Sequence, residues 1–407
     1  MKIAILHYSV PPVVGGVESV IAHHARMMAA EGHSVRLIAA RGEALNDKIP
    51  LIKILLADSR HERVNRVKEQ LDRGEVTGDF DSLRDELVME LQLALSGVDM
   101  LIAHNVCSLN KNLALTAALH KMHTIGNLPR FILWHHDLAW TTPRYLPELR
   151  IGQPWDLLRT DWGNITHVVV SELRCTELSG LMKIPPESIR VIPNGVDAAR
   201  FYKLESQTQD LLERTNLLDA EPILLLPVRV TPRKNIELAL RVLAELRKKN
   251  PRAALVVTGP LGPHNAKNRT YFEMLTNLRD QLGLNESVHF LSDLVDAFLP
   301  DEVIADFYRI ADTLFFPSRE EGFGIPLIEA AFSHLHAFCA SIPPLRELGM
   351  GDATFFSPDE DPARVAGMIE EYFQTSLEAR LSIRARSSYR WEAIYRQHIA
   401  PLIAKGN

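Results

Sequence analysis

Two carboxylates, Glu321 and Glu329, stand with seven residues between them in the run SREEGFGIPLIEA, residues 318–330. The run Thr313-Leu-Phe-Phe-Pro317 before them reads as a short buried strand. Residues 326–332 after them read as a helix with Pro326 in its first turn, where a missing N–H costs little. Glu321 is therefore expected on a strand-to-helix loop and Glu329 on the helix itself. Gly322 and Gly324, flanking Phe323, let the backbone approach a ligand closely, and a helix N-terminus offers free N–H groups to an anion such as a diphosphate. The plainer alternative is an ordinary strand–loop–helix whose glutamates cap and solvate.

Two cations occupy a comparable place earlier, Arg229 and Lys234 in LPVRVTPRKN, residues 226–235. They follow an apolar run and precede a helical pattern, so both are placed to meet a ligand, while Arg233 reads as a surface residue. Two cations so placed can neutralise an anion such as a diphosphate, and in a metal-free site cationic side chains must do it. In Trp134-His135-His136-Asp137, adjacent side chains of an extended strand point to opposite faces, so only one histidine can enter a given site. Either His135 or His136 could be that one; His104 ends another apolar run and is a further candidate. The consecutive His-His-Asp cannot surround one metal ion, and no metal is expected. Gly15-Gly16, followed by Glu18, lies between a first apolar run and a helical pattern, and a simple tight turn explains it nearly as well as a ligand loop. The spacing G-x-G-x-x-G is absent there, which counts against a nicotinamide cofactor.

Taken in order, Gly15-Gly16 with Glu18, the His-Asp pair at 136–137, PNGVD at 193–197, Arg229 with Lys234, and EGFGIPLIEA resemble the retaining glycosyltransferases of family 4, which have the GT-B fold and a Glu-x7-Glu motif. The resemblance covers most of the chain, strongest over 191–356 and weakest over 45–128. One departure is Val228, where the family usually carries glycine. It implies an α/β chain of two Rossmann-like, doubly wound parallel-sheet domains facing an interdomain cleft. Residues 1–197 would bind the acceptor, 198–381 the nucleotide sugar, and a C-terminal helix in 382–407 would pack back on the first domain. It implies transfer of a hexose from a UDP- or GDP-linked sugar to a hydroxyl acceptor with retention, by same-face attack. Arg229 and Lys234 would hold the diphosphate, Glu321 the donor-sugar hydroxyls and Glu329 the ribose. Gly16 would approach the donor phosphate or the acceptor, His136 would touch the transferred sugar, and His104 and His135 would lie on the acceptor side. Asn194-Gly195-Val196-Asp197 would form the turn between domains. No separate cofactor is implied. The acceptor would be a sugar, a small polyol or acid, or a lipid-linked hydroxyl. A nucleotide-sugar epimerase, a retaining phosphorylase and a non-catalytic sugar-nucleotide binder remain alternatives.

Elements to position these groups are legible throughout. Residues 2–6, a Gly loop, a helix at about 19–30 and an apolar run at 35–40 make a βαβ unit. Residues 98–104, 131–134 and 167–170 read as further buried strands, 55–95 as a helical insertion, and 190–197 as a turn-rich domain end. A second alternation follows, with strands at 222–226, 253–258, 288–291 and 313–316 and helices at 236–249, 271–282 and 303–310. The loop 259–265 is longer than a usual βα turn and is expected to border the donor site. Residues 382–404 read as a helical tail. The chain has 407 residues, enough for two domains, and 46% are hydrophobic. A net charge of −6 gives no general pull toward nucleic acid, so any anion site must be local. Three scattered cysteines suggest no zinc site or disulfide framework and a reducing, cytoplasmic setting. No signal peptide and no membrane span are expected.

Overall fold

The computed structural model describes residues 1–126, 129–261, 266–295 and 298–404. It divides into two units, Met1–Gly195 with Trp391–Asn407, and Val196–Arg390.

The first unit is built on β1 (Lys2–Leu6), β2 (Ser34–Ala39), β3 (Leu51–Lys53), β4 (Met100–His104), β5 (Arg130–His135), β6 (Thr166–Val169) and β7 (Ile189–Val191). These pair in the order β3-β2-β1-β4-β5-β6-β7, and every pairing is parallel. A parallel sheet covered on both faces needs strands that are apolar at nearly every position. The buried runs of β4 and β5 meet that demand. Alternate residues feed two separate cores: Ala4, Leu6, Leu101, Ala103, Phe131 and Leu133 on one face, and Ile3, Ile5, Met100, Ile102, Ile132 and Trp134 on the other. The order of strand addition reverses between β1 and β4, since β1 to β3 build outward one way and β4 to β7 the other. A crevice opens at such a point beyond the carboxyl ends of the strands.

The second unit repeats the plan with β8 (Ile223–Leu226), β9 (Ala254–Val257), β10 (Val288–Phe290), β11 (Thr313–Phe316), β12 (His336–Ala340) and β13 (Thr354–Phe356). Their order is β10-β9-β8-β11-β12-β13, again all parallel, with the reversal between β8 and β11. Two doubly wound parallel sheets of this kind are the domains of a GT-B protein.

Several boundaries differ from the sequence reading. Arg190 and Val191 belong to β7 rather than to a turn, and β12 and β13 extend the second sheet beyond the strands expected. The first helix begins at Gly16, because Gly15 stands extended at its N-cap. The insertion holds helices Glu62–Asp72 and Gly78–Ala94. The tail is not one helix. Helix Leu377–Ser388 belongs to the second unit, where Arg386 meets Asp312 at 2.5 Å and Arg390 pairs with Asp219. Only Trp391 onward joins the first unit, through a helical turn Trp391–Ile394, a π-helical turn Tyr395–Ile399 and a short helix Ala400–Ala404. Ile394, Ile399, Leu402 and Ile403 bury in the core of the first unit, and Arg130 donates to the carbonyls of Leu402 and Ile403. Anchors of opposite kind, buried ion pairs before Trp391 and apolar packing after it, split what reads in sequence as one segment. The Trp391 indole lies so close to Gly195 that a Cβ there would meet it at 2.6 Å, so the first unit closes on a glycine.

Candidate active site

In the second unit, the loops after β8 and β11 meet at the point of reversal. The first makes a tight 3₁₀ turn, Pro232–Lys234, and then Asn235 in the left-handed conformation before helix Ile236–Arg247. Asn235 holds both loops in place: its side-chain amide donates to the carbonyls of Pro317 at 3.1 Å and Pro358 at 2.9 Å. The Arg319 amide donates to the Arg233 carbonyl at 2.8 Å, tying the loops a second time. The result is that Lys234 Nζ lies 2.5 Å from Glu321 Oε1 with the two side chains only 10% and 8% exposed. The ammonium also sits 5.6 Å from the centre of the Phe316 ring. A charge pair this far out of water holds both side chains in one geometry.

The loop of Glu321 runs through Gly322, Phe323 and Gly324 into helix Ile325–Phe332. Gly324 has φ 105°, and a Cβ there would meet Leu345 at 2.4 Å. Only glycine suits a left-handed residue packed so closely. Pro326 stands in the first turn of the helix, as expected, and Glu329 one turn later. Glu329 Oε2 accepts from the Tyr308 hydroxyl at 2.5 Å, and Tyr308, on helix Asp301–Ile310, is 2% exposed. Burial, and then the Glu329 carboxylate, push the Tyr308 hydroxyl pKa up, so it stays a donor. Tyr308 was not singled out from the sequence; a tyrosine inside an amphipathic helix carries no sign that it will reach a residue 21 positions on.

Arg229 is exposed and forms no ion pair among the described residues, and Arg233 is exposed as expected. Val228, the departure from glycine, is buried, so its side chain points into the core. Of the loop 259–265, residues 262–265 lie outside the described residues.

The first unit collects histidines at the carboxyl ends of its central strands. His136 Nε2 and His104 Nδ1 are 3.0 Å apart, and the His7 Nδ1–H donates to the His104 carbonyl at 2.7 Å. Asn105, left-handed at φ 58°, accepts from the amides of His136 at 2.7 Å and Asp137 at 3.2 Å. Burial first, then His7, lowers His136 to about 3, so the ring is neutral at working pH. His135 points the other way, to His167 at 3.1 Å, as alternation requires. The acceptor-side placement of His104 and His135 needs correction: they are 0% and 1% exposed, packed among the first unit's own side chains. His104 stands behind His136 and supports it. Gly16 opens its helix, and a Cβ there would meet nothing within 4 Å.

Two family models match. One, "Glycosyltransferase Family 4", spans residues 14–200, and the other, "Glycosyl transferases group 1", spans 208–388. The chain belongs to the family 4 glycosyltransferases. It is 25% identical over 381 residues to the mannosylglucosylglycerate synthase of Thermotoga maritima, covering 87% of this chain and 86% of that protein. It is 27% identical over 293 residues to the D-inositol 3-phosphate glycosyltransferase of Kineococcus radiotolerans, covering 68% of this chain and 63% of that one. Among solved structures, sucrose-phosphate synthase of Thermosynechococcus elongatus aligns over 99% of this chain and 98% of its own at 16% identity, with a TM-score of 0.38.

Two Asp-x-Asp runs occur in this glycosyltransferase, at 79–81 and 359–361, and both are engaged locally. Asp79 accepts from Gln70, Asp81 pairs with Arg84, Asp359 pairs with Arg319 and Asp361 caps helix Pro362–Thr375. Among the described residues no three His, Cys, Asp or Glu side chains are grouped to hold a metal ion, and no helix is long and apolar enough to cross a membrane.

Proposed function

We propose that this glycosyltransferase moves a hexose from a UDP- or GDP-linked sugar to a hydroxyl acceptor, forming an α-glycosidic bond with retention. The observation that carries the reading is the buried Lys234–Glu321 pair at the reversal point of the second sheet, where an open α/β sheet takes its ligand. Donor arrival gives Lys234 a second anion, the diphosphate, while Glu321 accepts hydrogen bonds from the donor-sugar hydroxyls. Arg229, exposed and unpaired among the described residues, adds a second cation for the charge that grows as the glycosidic C–O bond breaks. The free amides of Gly322 to Gly324, at the head of helix Ile325–Phe332, contribute partial positive charge to the same group. Glu329, held by Tyr308, accepts from the ribose hydroxyls.

In the retaining step the acceptor oxygen attacks the face from which the diphosphate departs, and the leaving phosphate oxygen takes the acceptor's proton. His136, neutral and steadied by His104 and Asn105, hydrogen-bonds the transferred sugar. The glycosidase scheme does not apply, because it needs two acids flanking the scissile bond, whereas Glu321 serves the sugar hydroxyls and Glu329 the ribose. Charge neutralisation by protein cations makes the reaction metal-independent. The acceptor is a sugar, a small polyol or acid, or a lipid-linked hydroxyl, and nucleic acid is no partner. The buried free thiols Cys107, Cys175 and Cys339 support work in the reducing cytoplasm.

The test is a panel of UDP-, GDP- and ADP-sugars with and without candidate acceptors, reading nucleotide release and the anomeric configuration of the product. Release that requires acceptor, with an α product, is expected. Release from no member of the panel, or a β product, overturns the proposal.

A further inference from the structure

A cavity of about 420 Å³ lies within the first unit, with His7, Tyr8, Glu18, Arg41, Arg60 and Lys111 in its wall. Its wall is assembled from separate parts of the sheet. His7, Tyr8 and Ser9 follow β1, Arg41 follows β2, Ser59 and Arg60 follow β3, and Lys111 follows β4. It therefore occupies the crevice at the β1/β4 reversal, the first unit's counterpart of the Lys234–Glu321 locus.

Its chemistry is divided. Arg41 is spoken for by Asp58, at 3.0 Å, and forms a fixed wall. Arg60 and Lys111 are exposed and form no ion pair among the described residues; the Lys111 ammonium lies 6.0 Å from the centre of the Tyr8 ring. In a chain of net charge −6, two cations without an ion pair stand together over one polar cavity. Beside them stand acceptors. Glu18 takes a hydrogen bond from Ser9 at 2.7 Å and keeps its remaining lone pairs. The His7 Nδ1–H is used on the His104 carbonyl, which leaves Nε2 as an acceptor, and burial holds His7 near 4, so it stays neutral.

Cations for an anion on one part of the wall and acceptors for hydroxyls on another match one class of molecule. We infer that this cavity binds the acceptor, and that the acceptor is a small polyhydroxylated anion, its phosphate or carboxylate held by Arg60 and Lys111 and its hydroxyls by Glu18 and His7. The inference rests on the transfer reaction proposed above and narrows its acceptor to an anionic sugar or polyol. The volume suits a monosaccharide bearing one such group. A charged ligand gains more from charge-assisted hydrogen bonds than a neutral sugar of the same size. Glu18 sets the limit, since an anion placed at its end would be repelled, so the ligand has one orientation.

The test is calorimetric titration of the full chain with glucose 6-phosphate, glucuronate and glucose, in low and in raised salt. At least one anion is expected to bind about tenfold or more tightly than glucose, with the difference shrinking in raised salt. Phosphate and carboxylate are separated by which of the two wins. Arg60→Ala and Lys111→Ala, both exposed positions, are each expected to remove most of that advantage, to leave glucose binding as it was, and to keep the melting temperature. Equal affinity for all three probes, absence of binding by either anion, or uniform weakening in the variants overturns the inference. A parallel titration with UDP and GDP keeps the two proposals apart. Nucleotide binding without anionic-sugar binding sinks only the anion site, whereas anionic-sugar binding with no nucleotide binding sinks the transfer reaction and leaves the anion site standing.

Discussion

Replacing Lys234 by alanine strikes both the stability of the second unit and its chemistry, and the two effects can be separated. With 2.5 Å between the charged atoms and an effective dielectric of about 20, the gross attraction is about 7 kcal/mol, most of it offset by the desolvation of both groups. The net worth of the intact pair is small. Removing one partner is different, because it leaves a carboxylate only 8% exposed without its counter-charge, at a cost of about 3–5 kcal/mol. For a unit of this size that corresponds to a fall in melting temperature of roughly 10 °C. Loss of the cation proposed to face the diphosphate should lower kcat by about 10²–10³. The double variant Lys234→Met with Glu321→Gln removes both charges, so it should regain most of the melting temperature and none of the turnover. The assay is thermal unfolding followed by circular dichroism beside acceptor-dependent nucleotide release on the same samples. Wild-type kcat in the single variant would refute the diphosphate role. An unchanged melting temperature would refute the buried-pair reasoning. Recovery of turnover in the double variant would mean that Lys234 serves only to neutralise Glu321.

Tyr308→Phe removes one hydrogen bond to Glu329, about 1.5–3 kcal/mol of folding stability, so the melting temperature should fall by roughly 3–10 °C and the Kd for UDP or GDP should rise tenfold or more; an unaltered nucleotide titration would release Glu329 from the ribose role. Asn235→Ala loses two buried hydrogen bonds and a favourable left-handed residue, so unfolding should come about 2–4 kcal/mol sooner in urea; a shift under about 0.5 kcal/mol would contradict the brace assigned to it. His7, His24 and His136 are lowered to about 4, 3 and 3, in each case chiefly by burial. Since the unfolded chain binds protons at its ordinary histidine pKa and the folded chain does not, their contribution is complete above about pH 6.5 and is lost as pH falls toward 3–4. Neither ring nitrogen of buried His24 has a hydrogen-bond partner among the described residues, so His24→Phe should flatten the acid branch of melting temperature against pH, and an unchanged slope there would show that His24 does not set it. EDTA is expected to leave transfer intact, and abolition restored by Mg²⁺ would contradict charge neutralisation by Lys234 and Arg229.

Much of the architecture followed from local pattern. Buried runs such as residues 223–226 and 313–316 read as strands covered on both faces, and their alternation with amphipathic helices leaves a doubly wound sheet as the economical arrangement. Residue type and spacing likewise marked Glu321, Glu329, Lys234 and His136, because pairs of acids, cations before a helix and adjacent histidines are conspicuous in one dimension. The sequence alone did not pair Lys234 with Glu321 across 87 positions, or join Tyr308 to Glu329, or bury His104 behind His136. It did not place Arg60 and Lys111 on one cavity, or divide the tail at Trp391. Those facts depend on which strand ends become neighbours, and strand order is set by long-range packing of the two sheet faces rather than by any short stretch of chain. Burial decides what a given residue can do: His104 is hidden while His136 keeps partial exposure, according to a few ångströms that no local pattern encodes.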